Sequence, residues 1–266
     1  MDSPRLRLCP DQAHQPDAFC LQETKTEDAN FPLGEIAAAG YDPVFSGQKT
    51  YNGVAILCRS KPNDVVAGIP GFDDPQKRVI SATVEGLRAI CVYIPNGESI
   101  ESDKYRYKLE WLARLTAWLK EELQKHPRLV LLGDYNIAPE ERDVHDPKAW
   151  EGKVLFSELE RAAFRTLIEL GLADSFRLFD QPEKSFSWWD YRINGFKRNL
   201  GLRIDHILLS RELARSCKSC SIDRDMRAKE RPSDHAPVVA EGQRQKTWIP
   251  AFAGMSAPVR GATSAW

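Results

Sequence analysis

The chain has 266 residues and a formal net charge of −1, with 42% hydrophobic and 28% charged residues. Such values fit one sizeable globular unit with a buried core, and they leave no global basic or acidic field to select a partner. No apolar run is long enough to span a bilayer, and Met1 to Pro10 lacks the apolar centre of a secretion signal, so the expectation is a cytoplasmic protein with no membrane partner.

In chain order, short apolar runs bounded by Gly, Pro or Asn predict strands at 17–21, 53–58, 79–84 and 88–94. A helix follows at 105–124, where Leu109, Leu112, Leu115, Leu119 and Leu123 recur at three- and four-residue spacing, and His126-Pro127 ends it. After a strand at 129–132, a second helix is predicted at 157–170, with Ser157 as N-cap, Glu160 three residues on and Gly171 as the stop. Strands at 186–191, 202–209 and 237–240 complete the set. Many strands and few helices predict an α/β architecture of two packed sheets with covering helices. Residues 1–13 carry Pro4 and Pro10 without periodicity, and 242–266 is an Ala/Gly/Ser/Pro-rich stretch expected to be a poorly ordered tail, which leaves 14–241 as the domain. Cys20, Cys58 and Cys91 sit inside apolar runs and read as small buried hydrophobes. Cys217 and Cys220 form a C-x-x-C with no second ligand pair nearby, so they too read as structural.

Acid or amide groups stand at several predicted strand ends. Glu23 follows Phe19-Cys20-Leu21, and a carboxylate there suits a hard cation such as Mg²⁺. Asp134 and Asn136 follow Leu129-Val130-Leu131-Leu132-Gly133 and, two residues apart in extended chain, point the same way. Asp205 lies in a run too apolar for an unpaired charge, and His235 is its natural partner. His206, adjacent in the same strand, points to the other face and reads as structural. Tyr93 precedes a Pro-Asn-Gly turn that brings its hydroxyl to the sheet mouth. The aromatic stretch Phe186-Ser187-Trp188-Trp189-Asp190-Tyr191-Arg192 suits an unstacked sugar or base beside a phosphate backbone. Each feature has a plainer reading as a turn, a solvated acid beside Lys25 or a core aromatic, but the shared placement argues for one metal-assisted hydrolytic site.

At these residues the chain resembles the exonuclease III family of abasic-site endonucleases, within the endonuclease/exonuclease/phosphatase superfamily. The matching stretches include Leu21-Gln22-Glu23-Thr24-Lys25, Tyr93-Ile94-Pro95-Asn96-Gly97, Gly133-Asp134-Tyr135-Asn136, Trp188-Trp189-Asp190-Tyr191-Arg192, Gly201-Leu202-Arg203-Ile204-Asp205-His206 and Ser233-Asp234-His235-Ala236-Pro237. The resemblance implies a four-layer α/β sandwich, two mixed sheets flanked by helices. It implies a monomer acting on double-stranded DNA with abasic sites or 3′ ends. The implied reaction is hydrolysis 5′ to the abasic site, with 3′-to-5′ exonuclease and 3′-phosphatase or phosphodiesterase activities, dependent on Mg²⁺ with Mn²⁺ as the alternative. By position, Glu23 would ligate the metal, with Asp134, Asn136, Asp234 and His235 around it. Asp134 would orient or deprotonate the attacking water, while Tyr93, Asn96, Asn136 and His235 would bind the scissile phosphate and Asp205 would support His235. Lys25 and Arg192 would contact DNA, and Trp188, Leu202 and Ile204 would wall the pocket for the extrahelical sugar. Either Asp134 or His235 could serve as the base.

Family members open on a strand with a Trp-Asn-x-Asn signature, and this sequence contains no Trp-Asn pair. The expectation is that the first strand is absent, which would expose a sheet edge, remove a polar group from the metal site and weaken both stability and catalysis. Two other readings stand beside the nuclease: a catalytically crippled DNA-binding relative, and a phosphoesterase for lipid or inositol phosphates.

Overall fold

The structure, a computed structural model, describes residues 16–227 and 233–242. The atypical segment 1–13, the question of the first strand and the tail beyond Gly242 lie outside the described residues.

The described strands are β1 (Ala18–Gln22), β2 (Asp42–Ser46), β3 (Val54–Cys58), β4 (Asn63–Ala67), β5 (Val79–Val84), β6 (Leu87–Tyr93), β7 (Leu129–Asp134), β8 (Leu172–Asp174), β9 (Trp188–Trp189), β10 (Gly201–Leu202), β11 (Asp205–Ser210), β12 (Cys217–Ile222) and β13 (Val238–Gly242). The helices are α1 (Leu33–Ala38), α2 (Asp103–Lys125), α3 (Pro147–Trp150), α4 (Glu158–Glu169), α5 (Gly195–Arg198), α6 (Arg211–Ser216) and α7 (Arg224–Arg227).

One sheet has six strands in the order β4-β5-β6-β7-β11-β8. Its pairs are antiparallel except β6–β7, which is parallel and is joined by the crossover helix α2. Facing it lie the antiparallel set β1-β3-β2 and the pair β12–β13. Between them sits a core of small and β-branched side chains, among them Cys20, Val54, Ile56, Ile80, Ala89, Cys91, Leu132, Ile207 and Val238. The outer face of the six-stranded sheet presents Ile90, Val92, Leu131 and Leu208 to Trp111, Leu115 and Leu119 of α2 and to Phe164 and Leu167 of α4. On the far side, Phe19, Leu21, Ala55 and Leu57 meet Phe31, Ile36 and Tyr41 around α1. The result is a four-layer α/β sandwich.

Local signals explain the two main helices. Ser102 caps α2 by accepting from the Tyr105 N–H, and Ser157 with Glu160 closes a reciprocal capping box at α4. Two expected strands differ. The run 186–191 contributes only two residues, β9, before Asp190 accepts from the Arg192 N–H and turns the chain into a 3-10 helix. The run 202–209 is split, because Arg203 and Ile204 leave the ladder between β10 and β11. The Arg203 guanidinium is buried and binds Asp143 through Nε (2.6 Å) and Nη2 (3.2 Å), and Asp174 at 2.8 Å. A buried cation needs such partners, and they draw the backbone out of register.

Candidate active site

Strand register alone brings three of the expected side chains into a row. β6 and β7 pair Tyr93 with Asp134, and β7 and β11 pair Asp134 with Asp205. Two carboxylates directly opposite on a sheet repel, so this placement needs a cation between them. His235 supplies it. Its Nδ1 lies 3.0 and 2.9 Å from the two Asp205 oxygens, and its Nε2 lies 4.0 Å from Asp134 Oδ2. Donation of Nδ1–H to Asp205 fixes the ring and turns Nε2 toward Asp134. Asp134, Asp205 and His235 offer atoms that all lie within 4.8 Å of one another.

His235 is brought here by the segment before β13. It bridges to Trp188 across the sheet mouth, and Trp189 N donates to the Asp234 carbonyl at 3.1 Å. Asp234 accepts from Trp188 Nε1 at 3.0 Å. Glu23 arrives from the end of β1 in a left-handed backbone conformation, φ 55°. Its carboxylate accepts from the Tyr93 hydroxyl and pairs with Lys25 at 3.0 Å.

Asn136 braces Asp134. Its backbone N–H donates to Asp134 Oδ1 at 2.8 Å, and its side-chain amide donates to Asp134 Oδ2 at 3.1 Å and to the Ile94 carbonyl at 3.0 Å. Both amide hydrogens are therefore committed within the protein. Asn96 Nδ2 donates to Asn136 Oδ1 at 3.0 Å, which extends the chain toward the cleft.

The close approach that makes this possible occurs at Gly133. Its φ is 144°, and a Cβ there would overlap the Val92 carbonyl on β6. Gly133→Ala is expected to lower stability by roughly 3 kcal/mol, the upper end of the common range for single substitutions. Urea unfolding measures it, and a change under 1 kcal/mol would contradict this account.

The electrostatics follow from burial. Asp134 is pushed up to about 8, first by desolvation and then by the neighbouring Asp205 and Glu23 carboxylates, with His235 pulling the other way. For His235, desolvation favours the neutral ring, but Asp205, Asp134 and Asp234 outweigh it and raise the pKa to about 10. Desolvation also works against the Glu23 anion, yet Tyr93 and Lys25 bring its pKa below the usual value.

These groups border a cleft of about 380 Å³ whose walls include Trp150, Val154, Leu155, Trp188, Leu200 and Ile204, with Asp190 and Arg192 also lining it. Arg192 is exposed and held against Asp190 at 2.7 Å. Of the residues expected at the site, Glu23, Tyr93, Asn96, Asp134, Asn136, Trp188, Arg192, Ile204, Asp234 and His235 all line this cleft. Asp205 is buried behind His235. Leu202, expected on the wall, is fully buried behind it with Ala138, Val144 and Phe156, because β10 pairs it with Trp188 and turns it inward. Lys25, expected to contact DNA, does not line the cleft and is paired with Glu23. His145, Trp150 and Leu155 escaped the sequence reading. They come from 145–155, around α3, where no strand ends.

The donor set fits a hard divalent cation. The carboxylates of Glu23, Asp134 and Asp234 share one cleft, and His235 only partly offsets the charge around Asp134.

The profile of the Endonuclease/Exonuclease/phosphatase family matches residues 10–235. The chain belongs to that family. Among its relatives, exodeoxyribonuclease III of Haemophilus influenzae is 41% identical over 243 residues, covering 86% of this chain and 91% of the relative. Within the family's solved structures, a 3′ phosphatase from Neisseria bound to a product DNA hairpin superposes with a TM-score of 0.85 at 49% identity, over 86% of this chain and 90% of that one. An AP endonuclease from Archaeoglobus fulgidus gives 0.83 at 40% identity, over 86% and 90%. The α/β architecture with helices flanking its sheets is therefore the family fold. Among the described residues, no helix is long and apolar enough to cross a membrane.

Proposed function

We propose that this chain is a DNA-repair nuclease that hydrolyses the phosphodiester bond 5′ to abasic sites in double-stranded DNA. It also processes 3′ ends as a 3′-to-5′ exonuclease and 3′-phosphatase, with Mg²⁺ as its ion and Mn²⁺ as a substitute. The observation that carries the reading is His235, clamped by both oxygens of Asp205 with Nε2 turned to Asp134, beside Glu23 at one cleft. The relatives named above, an exodeoxyribonuclease III, a 3′ phosphatase and an AP endonuclease, support this reading.

The residues divide the work. Asp134, braced through both oxygens by Asn136, takes a proton from water. The water oxygen forms the new bond to phosphorus. The P–O3′ bond breaks with its electron pair on the 3′ oxygen, which takes a proton from solvent water, leaving a 3′ hydroxyl and a 5′ phosphate. His235, held as imidazolium, presents an N–H to a phosphoryl oxygen, where negative charge builds. Asn96 offers its remaining amide hydrogen on the same side. Glu23 and Asp134 would hold a divalent cation, which would supply positive charge to the phosphoryl oxygens. Trp188, Trp150 and Ile204 give a baseless sugar an apolar seat, and exposed Arg192 and Ile193 stand at its rim.

The test is incision of a duplex bearing one abasic site, run with Mg²⁺, with Mn²⁺ and with EDTA, beside a phosphoinositide substrate. Cation-dependent cleavage giving a 3′ hydroxyl supports the proposal. Turnover of the phosphoinositide without DNA incision would replace it.

Cation binding also predicts a pH-dependent stability. Because Asp134 has a raised pKa, the folded state holds a proton between about pH 4 and 8 that the unfolded chain has lost, so the metal-free protein loses stability as pH rises through that window. A cation takes the proton's place, and its benefit grows over the same range. At 100-fold excess over Kd it is worth about 2.7 kcal/mol, or roughly 5–10 °C in Tm. Thermal melts should show a Mg²⁺-induced shift at pH 8.5 at least twice that at pH 6. Equal shifts would remove Asp134 from the metal site.

A further inference from the structure

Lys108 lies near the N-terminal end of the buried stripe of α2 with no exposed surface. A lysine is almost never so placed unless its charge is used. Its ammonium has three hydrogens and three acceptors: the Asn136 carbonyl at 2.7 Å, the Asn96 carbonyl at 3.1 Å, and the Glu160 carboxylate. Two of those acceptors belong to the two loops that carry the cleft's amides. Asn136 sits in a left-handed conformation, φ 49°, where its carbonyl turns out of the β ladder and needs a donor from elsewhere. The Asn96 and Asn136 side chains are already joined, and Asn136 grips both oxygens of Asp134.

We propose that Lys108 is a positioning residue of the reaction: it ties the backbone of the Asn96 and Asn136 loops together and so fixes the Asn96–Asn136–Asp134 chain in one orientation. The inference rests on the hydrolytic reading above.

Glu160 serves a different end. It closes the α4 capping box, accepting from Ser157 N at 3.0 Å and Leu155 N at 3.0 Å, and it neutralises the ammonium. A buried ion pair kept only for stability would be replaceable by apolar side chains of similar volume. The two loop carbonyls would then lose their donor, which is the part that apolar packing cannot replace. Burial pulls the Lys108 pKa down, while Glu160 and Asp134 favour its charged form. The opposite end of α2 provides an internal control, because Glu122 makes another buried pair there, with Arg88 at 2.9 Å, far along the helix from the cleft.

The test is steady-state cleavage of the abasic duplex by wild type, Lys108→Met, Glu160→Gln and Glu122→Gln, with circular dichroism and Tm for each. Lys108→Met should lose about 10- to 100-fold in kcat, the size expected of a reacting group displaced by less than an ångström, with KM within about twofold. Glu160→Gln and Glu122→Gln should lower Tm and leave kcat within about threefold, because neither removes the donation to the two carbonyls. If Lys108→Met does not fold, Lys108→Arg, which keeps the charge but moves the donors, takes its place with an expected loss of at least about tenfold. An unchanged kcat in the folded Lys108 variant, a change in KM alone, or an equal kcat loss in Glu160→Gln would overturn the inference. Inactive wild-type protein would instead overturn the hydrolytic reading.

Discussion

Asp134→Asn is expected to lower the kcat for abasic-site incision by about 10³- to 10⁴-fold, the upper range for removing a general base and a charge that orients the nucleophile. Stability should move the other way. Asp134 is buried opposite Asp205 and near Glu23, so ionising its carboxylate works against desolvation and those neighbouring charges. An amide removes that repulsion. It also turns one N–H toward the Asn136 amide, which now has no acceptor there, and this offsets part of the gain. The net expectation is a Tm equal to or a few degrees above wild type, with the advantage greatest above pH 8, where the wild-type group is charged. Duplex affinity should change little. A variant that keeps a tenth of the wild-type kcat would show that the base lies elsewhere. Loss of activity together with collapse of Tm would make Asp134 a structural residue.

The second large effect is at His235. His235→Asn should lower kcat by about 10²- to 10⁴-fold, because the amide can still donate to Asp205 but has no charged N–H to present to the phosphate. It should also be less stable. Removing one partner of a buried pair costs about 3–5 kcal/mol, of which the Asn amide recovers a part. The pH dependence distinguishes this from simple loss of packing. The folded pKa of His235 is raised to about 10 from an ordinary value near 6.5. Its contribution is therefore complete below about pH 6.5 and disappears as pH rises through about 10. The Tm difference between wild type and His235→Asn should be largest near pH 6 and shrink toward pH 10. A constant difference across that range would exclude the charged pair as its source.

Much of this arrangement was legible in the amino-acid order. The acid-bearing strand ends at Glu23, Asp134 and Asp205 announced themselves because a hydrophobic run ending in a carboxylate is a local pattern. The same holds for the leucine stripe of α2 and the Ser157–Glu160 capping box, whose partners lie within one helical turn. The pairing of His235 with Asp205 was readable for another reason: a buried carboxylate demands a partner, and His206, adjacent in the same strand, points to the other face.

What the sequence could not state was set by partners far apart in the chain. The register that lines up Tyr93, Asp134 and Asp205 is a property of three strands at once. Arg203 breaks a predicted strand because Asp143 and Asp174 converge on it from other elements. Asn136 reads as a free amide facing phosphate, yet its hydrogens are committed to Asp134 and Ile94. Lys108 carries no signal in the helical spacing, and its burial follows from loops that the fold closes over it. The sequence by itself determined which chemistry could occur, since residue types and strand-end positions are written locally. Only the tertiary structure decided which groups are buried, paired and held. Those are consequences of desolvation and cross-strand contact, and spacing along the chain does not encode them.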